Sequence, residues 1–223
     1  MNSKLFRFAA SSIVLGATMI GCKPSADQLY RPVASSAKAA KADEQAFKYY
    51  NAAQEKLAEG ELAEALAAME NAVALSPRDA GYRMGLAELY MKSGRFHSAE
   101  TTLQDVLELN PSDGRAGISL ALAQLAQGRG GAAVAQLNSL EGQVGASDLG
   151  LAYALAGETV RALELLEPAA RSPEATPRVR QNLALAYALA GDWKKARITA
   201  AQDISPAQLN SRLRAHKQAR DSV

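Results

Sequence analysis

Between about residue 46 and residue 204, apolar side chains return at three- and four-residue intervals, in short runs punctuated by glycine or proline. The run Leu103, Val106, Leu107 and Leu109, closed by Asn110-Pro111, is one of them. That spacing gathers apolar groups on one helical face, and the pattern predicts helices with no strands. The punctuation is itself periodic. Gly60, Gly94 and Gly128 lie 34 residues apart, as do Pro77 and Pro111, and Ala65 and Ala99. The string LAYALAG stands at Leu151–Gly157 and again, unchanged, at Leu185–Gly191, at the same offset. Only the interval from Gly128 to Gly157 is short, at 29 residues. A recurrence on this scale marks stacked supersecondary units. The chain is therefore read as an all-α solenoid of five helix pairs, near 46–79, 80–113, 114–142, 143–176 and 177–204. The third is the least regular, with Gly130-Gly131 and no closing proline. Beyond the last pair, residues 205–223 predict a C-terminal capping helix and tail, with Ser205 as N-cap and Pro206 in the first turn.

Residue types at fixed places in each unit sharpen the picture. Leu86, Ala87, Tyr90, Gly94, Phe96, Ala99, Leu103, Val106 and Pro111 mark the second unit; Leu183, Ala184, Tyr187, Gly191, Trp193 and Ala196 mark the last. This resembles the tetratricopeptide repeat, whose period is also 34. Small residues (Ala65, Ala99, Ala162, Ala196) let the two helices of a unit approach closely, and larger ones fill the space around them. Glycine ends the first helix in a left-handed cap, and proline after the second helix stops it.

The first 21 residues have another character. Lys4 and Arg7 precede an uncharged run from Phe8 to Cys22, too short to span a bilayer comfortably. A positive head, a short apolar run and a small residue before a cut site describe an export signal over residues 1–21. The only cysteine of the chain follows at once, in Met19-Ile20-Gly21-Cys22. These four residues resemble the lipobox of bacterial lipoproteins, which implies cleavage before Cys22 and its modification by acyl chains such as palmitate. Lys23 in the next position implies, by the same family's rule, delivery to the outer membrane. An ordinary signal followed by an incidental or buried thiol is the alternative. Residues 22–45, with Pro, Ser, Ala and Lys but no apolar period, are read as a flexible tether, with a partly helical end in its Ala-Lys stretch as an option.

Composition narrows the function classes. Lys and Arg number 25 against 23 Asp and Glu, and losing residues 1–21 removes two cations and no acid, so the exported part is neutral. That balance argues against a nucleic-acid partner. Aromatic residues are 5%, too few for a stacking platform. One cysteine and two histidines, His97 and His216, form no metal-ligand or nucleophile cluster, so no metal, cofactor or small-molecule substrate is expected and the protein is read as not an enzyme. Carboxylate pairs such as Glu59/Glu61 and Glu164/Glu167 fall on solvated helix faces. The tail cations Arg212, Arg214, Lys217 and Arg220 are read as a solvated helix, with membrane or partner contact as the other option.

What remains is surface. By the resemblance, the first helices of the pairs line a groove that receives a protein segment. Carrying the repeat's groove places over gives Tyr50, Asn51 and Gln54; Met84, Glu88 and Met91; Arg115 and Ile118; Leu151; and Arg178, Gln181 and Asn182. Roughly half of these are expected to pack against neighbouring units instead. A chaperone-tail clamp is not expected, because the places for its Lys and Asn hold Tyr50 and Gln54, and those for its Lys and Arg hold Arg115 and Ser119. The stretch from Arg178 to Trp193, RVRQNLALAYALAGDW, followed by Asp203-Ile204-Ser205-Pro206, is similar to the TadD lipoproteins of tight-adherence (Flp) pilus assembly. That resemblance covers residues 46–210. It implies an outer-membrane lipoprotein on the periplasmic face that assists assembly or localisation of a pilus secretin, as a pilotin does. A periplasmic adaptor that recruits or regulates cell-wall hydrolases is the competing reading.

Overall fold

A computed structural model describes residues 31–203, which form ten helices and, among the described residues, no strand. The export signal, Cys22 and the predicted capping helix lie outside the described residues. In order the helices are α1 (Arg31–Ala58), α2 (Leu62–Leu75), α3 (Ala80–Lys92), α4 (Phe96–Leu109), α5 (Gly114–Ala126), α6 (Gly130–Ser139), α7 (Ala146–Leu155), α8 (Thr159–Arg171), α9 (Pro177–Leu189) and α10 (Trp193–Ala201). The five pairs read from the period are these ten helices. The helical end of the tether is longer than expected: α1 begins at Arg31, so residues 31–45 are already helical. Ala, Lys, Glu and Gln dominate that stretch, and their helix propensity carries α1 back without any apolar period to announce it. The chain divides into two compact units, Met1–Ala40 and Lys41–Val223. In the first, the described residues are the beginning of α1; everything below concerns the second.

Within each pair the turn is the same device. After α3, Gly94 takes φ +74°, the Arg95 amide donates to the Tyr90 carbonyl and the Gly94 amide donates to the Met91 carbonyl. The six-to-one bond recurs at Glu61, Arg129, Glu158 and Asp192, each following a glycine of positive φ. Such a cap satisfies carbonyls that the helix end would otherwise leave bare. Asp79, Asp113 and Thr176 begin α3, α5 and α9 by accepting a bond from an amide three residues on.

The core follows the repeat. Ala65, Ala99, Ala133 and Ala162 are fully buried at equivalent places, and so, four residues later, are Met69, Leu103, Leu137 and Leu166. Glycine allows the closest approaches. A Cβ on Gly150 in α7 would stand 2.7 Å from Leu166 Cγ, and one on Gly117 in α5 would stand 2.7 Å from a Leu140 methyl.

Units are joined by a second recurring device. Tyr90 donates its hydroxyl to Glu70, Tyr153 to Asn138 and Glu141, and Tyr187 to Glu167, in each case on the preceding unit. Arg161 and Lys195 lie over the Tyr153 and Tyr187 rings, 5.4 and 5.1 Å from the centroids. In the third unit the equivalent place holds Gln124, which together with Gln127 donates to buried Glu100, itself paired with Arg129.

The shortened interval is a link of residues 140–145 between α6 and α7. Gly142 (φ +76°) turns the chain there, and Val144 packs where Gly114 has no side chain. α7 leans heavily on α8 and α9 but only lightly on α5 and α6.

Candidate functional site

The first helices α1, α3, α5, α7 and α9 share a face with three hollows. The first, about 430 Å³, lies between α1 and α3 and the start of α5. Tyr50, Gln54, Met84, Glu88 and Arg115 line it, with Gly81 and Gly85. Tyr50 packs tilted against Tyr82 at 5.3 Å between centroids and stacks on Phe47 at 6.5 Å, which fixes its ring at the rim. Polar groups dominate, and the Arg115 guanidinium pairs with Glu88 across the gap between α3 and α5. A second, smaller hollow of about 240 Å³ holds Met91 with Ala87, Ser119 and Leu122.

The third hollow is a cleft of about 430 Å³ between α5 and α7, above the shortened link. Its walls are Ile118 and Leu122 from α5, Val144 from the link, and Leu151 and Leu155 from α7. Arg115, Asp148 and Arg178 stand at its mouth, and Arg178 bonds to Asp148 at 3.0 Å. Both arginines keep more than 70% of their side chains in solvent. The cleft lies where the shortened link leaves α7 lightly seated on α6, and apolar side chains of α5 and α7 face one another across it. Its chemistry is apolar walls with two arginines at its mouth, each paired with a carboxylate, which suits a protein segment with an apolar face.

The structure sorts the predicted groove residues. It brings Tyr50, Gln54, Met84, Glu88 and Arg115 to the first hollow, Glu88 and Met91 to the second, and Arg115, Ile118, Leu151 and Arg178 to the cleft. Asn51 and Gln181 are exposed but line none of these hollows. Two assignments are corrected. Met84, 7% exposed, belongs mainly to the core, where it packs in one cluster with Ala87, Leu103 and Leu120. Asn182 is buried, and its amide donates to the Ser147 carbonyl at 3.2 Å and to the Ser147 hydroxyl at 3.1 Å, so it fastens α9 to α7.

Sequence reasoning passed over Leu122, Val144 and Leu155 in the cleft. It also passed over Leu185 and Leu189, which α9 presents 42% and 48% exposed at the places equivalent to Leu151 and Leu155. The signal was available. In both copies of LAYALAG the two leucines are four residues apart, hence on one helical face, while the Ala-Tyr between them is buried.

Lys56, pushed up by its bonds to Glu61 and Glu59, lies at the α1–α2 turn; the other strongly shifted ionisable groups belong to the joints rather than to the groove. The bond from Arg129, with help from Gln127 and Gln124, holds the Glu100 carboxyl down at about 2 against the penalty of burial. Burial and the hydrogen bond to Glu141 push the Tyr153 hydroxyl up to about 12; burial and Glu167 do the same to Tyr187. Among the described residues, no group of three His, Cys, Asp or Glu could hold a metal, and no helix is long and apolar enough to cross a membrane.

Comparison with known proteins agrees with this architecture. Tetratricopeptide-repeat family models match residues 56–117, 87–148, and 143–168 with 177–202. No curated protein matches the chain in sequence. Among solved structures, a thermophilic TPR protein of Thermus thermophilus superposes with a TM-score of 0.59 at 24% identity, covering 77% of this chain and 97% of that one. MamA (residue 41 to the end) of Desulfovibrio magneticus gives 0.54 at 21%, covering 71% and 92%. PilW, described as a widely conserved type IV pilus biogenesis factor, gives 0.56 at 16%, covering 70% and 76%. At these identities the likeness is one of fold.

Proposed function

The chain belongs to the tetratricopeptide-repeat family, and we propose that it is a non-enzymatic scaffold which grips a segment of a pilus or secretion machine in its groove. The observation that carries this reading is the cleft between α5 and α7, where Ile118, Leu122, Leu151 and Leu155 face one another beneath Arg115 and Arg178. Such a site gains free energy from burying an apolar face, while the paired charges at its mouth orient a polar flank. Leu185 and Leu189 extend the same apolar surface by one unit, enough for a segment of several turns of helix or an extended strand.

The cellular setting is part of the proposal. Residues 19–23 resemble a lipobox with an outer-membrane sorting residue, and residues 178–193 are similar to TadD lipoproteins. PilW, a pilus biogenesis factor, shares the fold. These support an outer-membrane lipoprotein of the periplasmic face, acylated on Cys22, whose client is the secretin of a pilus system.

The test combines capture with assembly. In cross-linked envelopes the wild-type protein is expected to retain a secretin or prepilin component. Leu151→Ser with Leu155→Ser, both partly exposed, is expected to lower that retention at least tenfold while the melting temperature falls by only a few degrees. Cells lacking the protein should lose secretin multimers and surface pili. Normal multimers and pili in those cells, or retention of cell-wall hydrolases instead of the secretin, would reject the pilus assignment. Unchanged retention by the double variant would reject the cleft.

A further inference from the structure

The link between α6 and α7 differs from its counterparts in what it is made of. Pro77, Pro111 and Pro173 stand in the links after α2, α4 and α8, and each fixes a backbone angle there. Residues 140–145 hold no proline. Gly142 and Gly145 flank Gln143-Val144 instead, and a Cβ on either glycine would meet nothing within 4 Å. The helix that follows is also less fastened. Asp79, Asp113 and Thr176 cap α3, α5 and α9 with side-chain bonds, whereas Gly145 gives α7 none. Packing is thin at the same place. The cleft of about 430 Å³ lies on the groove face, and on the other side of Val144 is a hollow of about 550 Å³. Glu141, Leu149, Tyr153, Arg161 and Glu164 line that second hollow, and Val144 lines both.

The side chains of the link are seated on α5. A Cβ at Gly114 would stand 2.5 Å from a Val144 methyl, and one at Gly117 would press on Leu140. The link therefore rides with the helices before it, while α7 rides with α8 and α9. One apolar cluster runs through the joint from Leu137 and Leu140 to Leu149, and it keeps the two blocks in one stack. The directional bonds across the joint are few. Tyr153 and Arg161 both donate to Asn138, and Tyr153 also donates to Glu141. We propose that residues 142–145 are a hinge on which α7–α10 swing against the preceding helices, with Asn138, Glu141, Tyr153 and Arg161 as the latch that sets the angle. Apolar contact is non-directional and survives a small rotation, whereas the latch bonds need one geometry. The hollows on either side of Val144 give the rotation room, so that widening the cleft narrows the other hollow. The width of the cleft is then set by bonds on the opposite side of the joint. The proposal concerns the chain alone and needs no client, so it stands or falls separately from the pilus reading.

Paired spin labels test this in the full chain. Cys22→Ser removes the only native thiol, so that introduced cysteines alone carry label. Glu108→Cys with Glu174→Cys spans the link, and Glu55→Cys with Glu108→Cys spans the link that holds Pro77; all three places are exposed. Swings of this kind run in microseconds to milliseconds, so a frozen sample holds their whole range. The distance distribution across residues 140–145 is expected to be about twice as wide as the control's, or wider. Asn138→Ala with Arg161→Gln, both exposed, should shift its mean while the melting temperature falls by only a few degrees. Tyr153→Phe, which removes the hydroxyl and keeps the ring, should shift the mean in the same direction. Equal widths for the two pairs would overturn the hinge. A wide distribution that neither the double variant nor Tyr153→Phe moves would overturn the latch, and the proposal with it.

Discussion

Glu100 and the two buried tyrosines show how single polar side chains hold the units together. Glu100 is 6% exposed, and it is kept ionised by Arg129 and the amides of Gln127 and Gln124. Its carboxyl is ordinary in the unfolded chain and titrates at about 2 in the fold, so its contribution is complete above the unfolded value of 4.5 and is lost as pH falls from there toward 2. Glu100→Ala leaves the buried Gln124 amide and Arg129 without the acceptor they share, and is expected to cost about 1–3 kcal/mol at neutral pH. In thermal melts the gap between variant and wild type should close as the pH drops below 4.5. Tyr153 and Tyr187 have the opposite sign. Their hydroxyls titrate near 12 in the fold against 10 when free, so their stabilisation is complete below pH 10 and is lost as pH rises toward 12. The Tyr153→Phe, Tyr187→Phe double variant should melt lower than wild type at pH 8, with the difference shrinking by about pH 11. Equal alkaline sensitivity of both proteins would place the titration elsewhere.

At the scale of elements, glycine divides into places where a side chain fits and places where it does not. Gly150 in α7 and Gly131 in α6 are both helical, and alanine there gains helix propensity in each case, about 1 kcal/mol at most. Gly150→Ala nevertheless drives a methyl to 2.7 Å from Leu166 Cγ, and Leu166 is fully buried and cannot swing away. Overpacking of that kind costs about 1–3 kcal/mol, so Gly150→Ala should lower the denaturation midpoint. Gly131 meets nothing within 4 Å, and Gly131→Ala should raise it. Denaturant titration of the two variants decides both signs. The same contrast explains what the sequence disclosed. Turn glycines and buried alanines recur because backbone geometry leaves them little choice, and their period revealed five pairs of helices. The start of α1 at Arg31 had no such marker, because propensity alone extends it. Groove residues were legible only where a helix keeps a regular distance from its neighbours. Met84 packs inward with Leu103 and Leu120, Asn182 turned to Ser147, and the leucines of LAYALAG were read as a period before they could be read as a surface.

For the molecule as a whole, the consequence lies in the link between α6 and α7. Contacts in a solenoid run only between neighbours, so cooperation passes along the stack through each junction in turn. Where α7 sits lightly on α5 and α6, that transmission is weakest, and the chain from Glu141 to Gln143 is exposed. Exposed, weakly supported segments are where proteases enter a folded chain. A brief digest of the native protein should therefore cut first within residues 141–145, giving an amino-terminal piece with α1 to α6 and a carboxy-terminal piece with α7 to α10. A client lodged in the cleft would touch both pieces at once. Its arrival should slow that cut, so the rate of nicking becomes a clock for occupancy that needs no label on either partner.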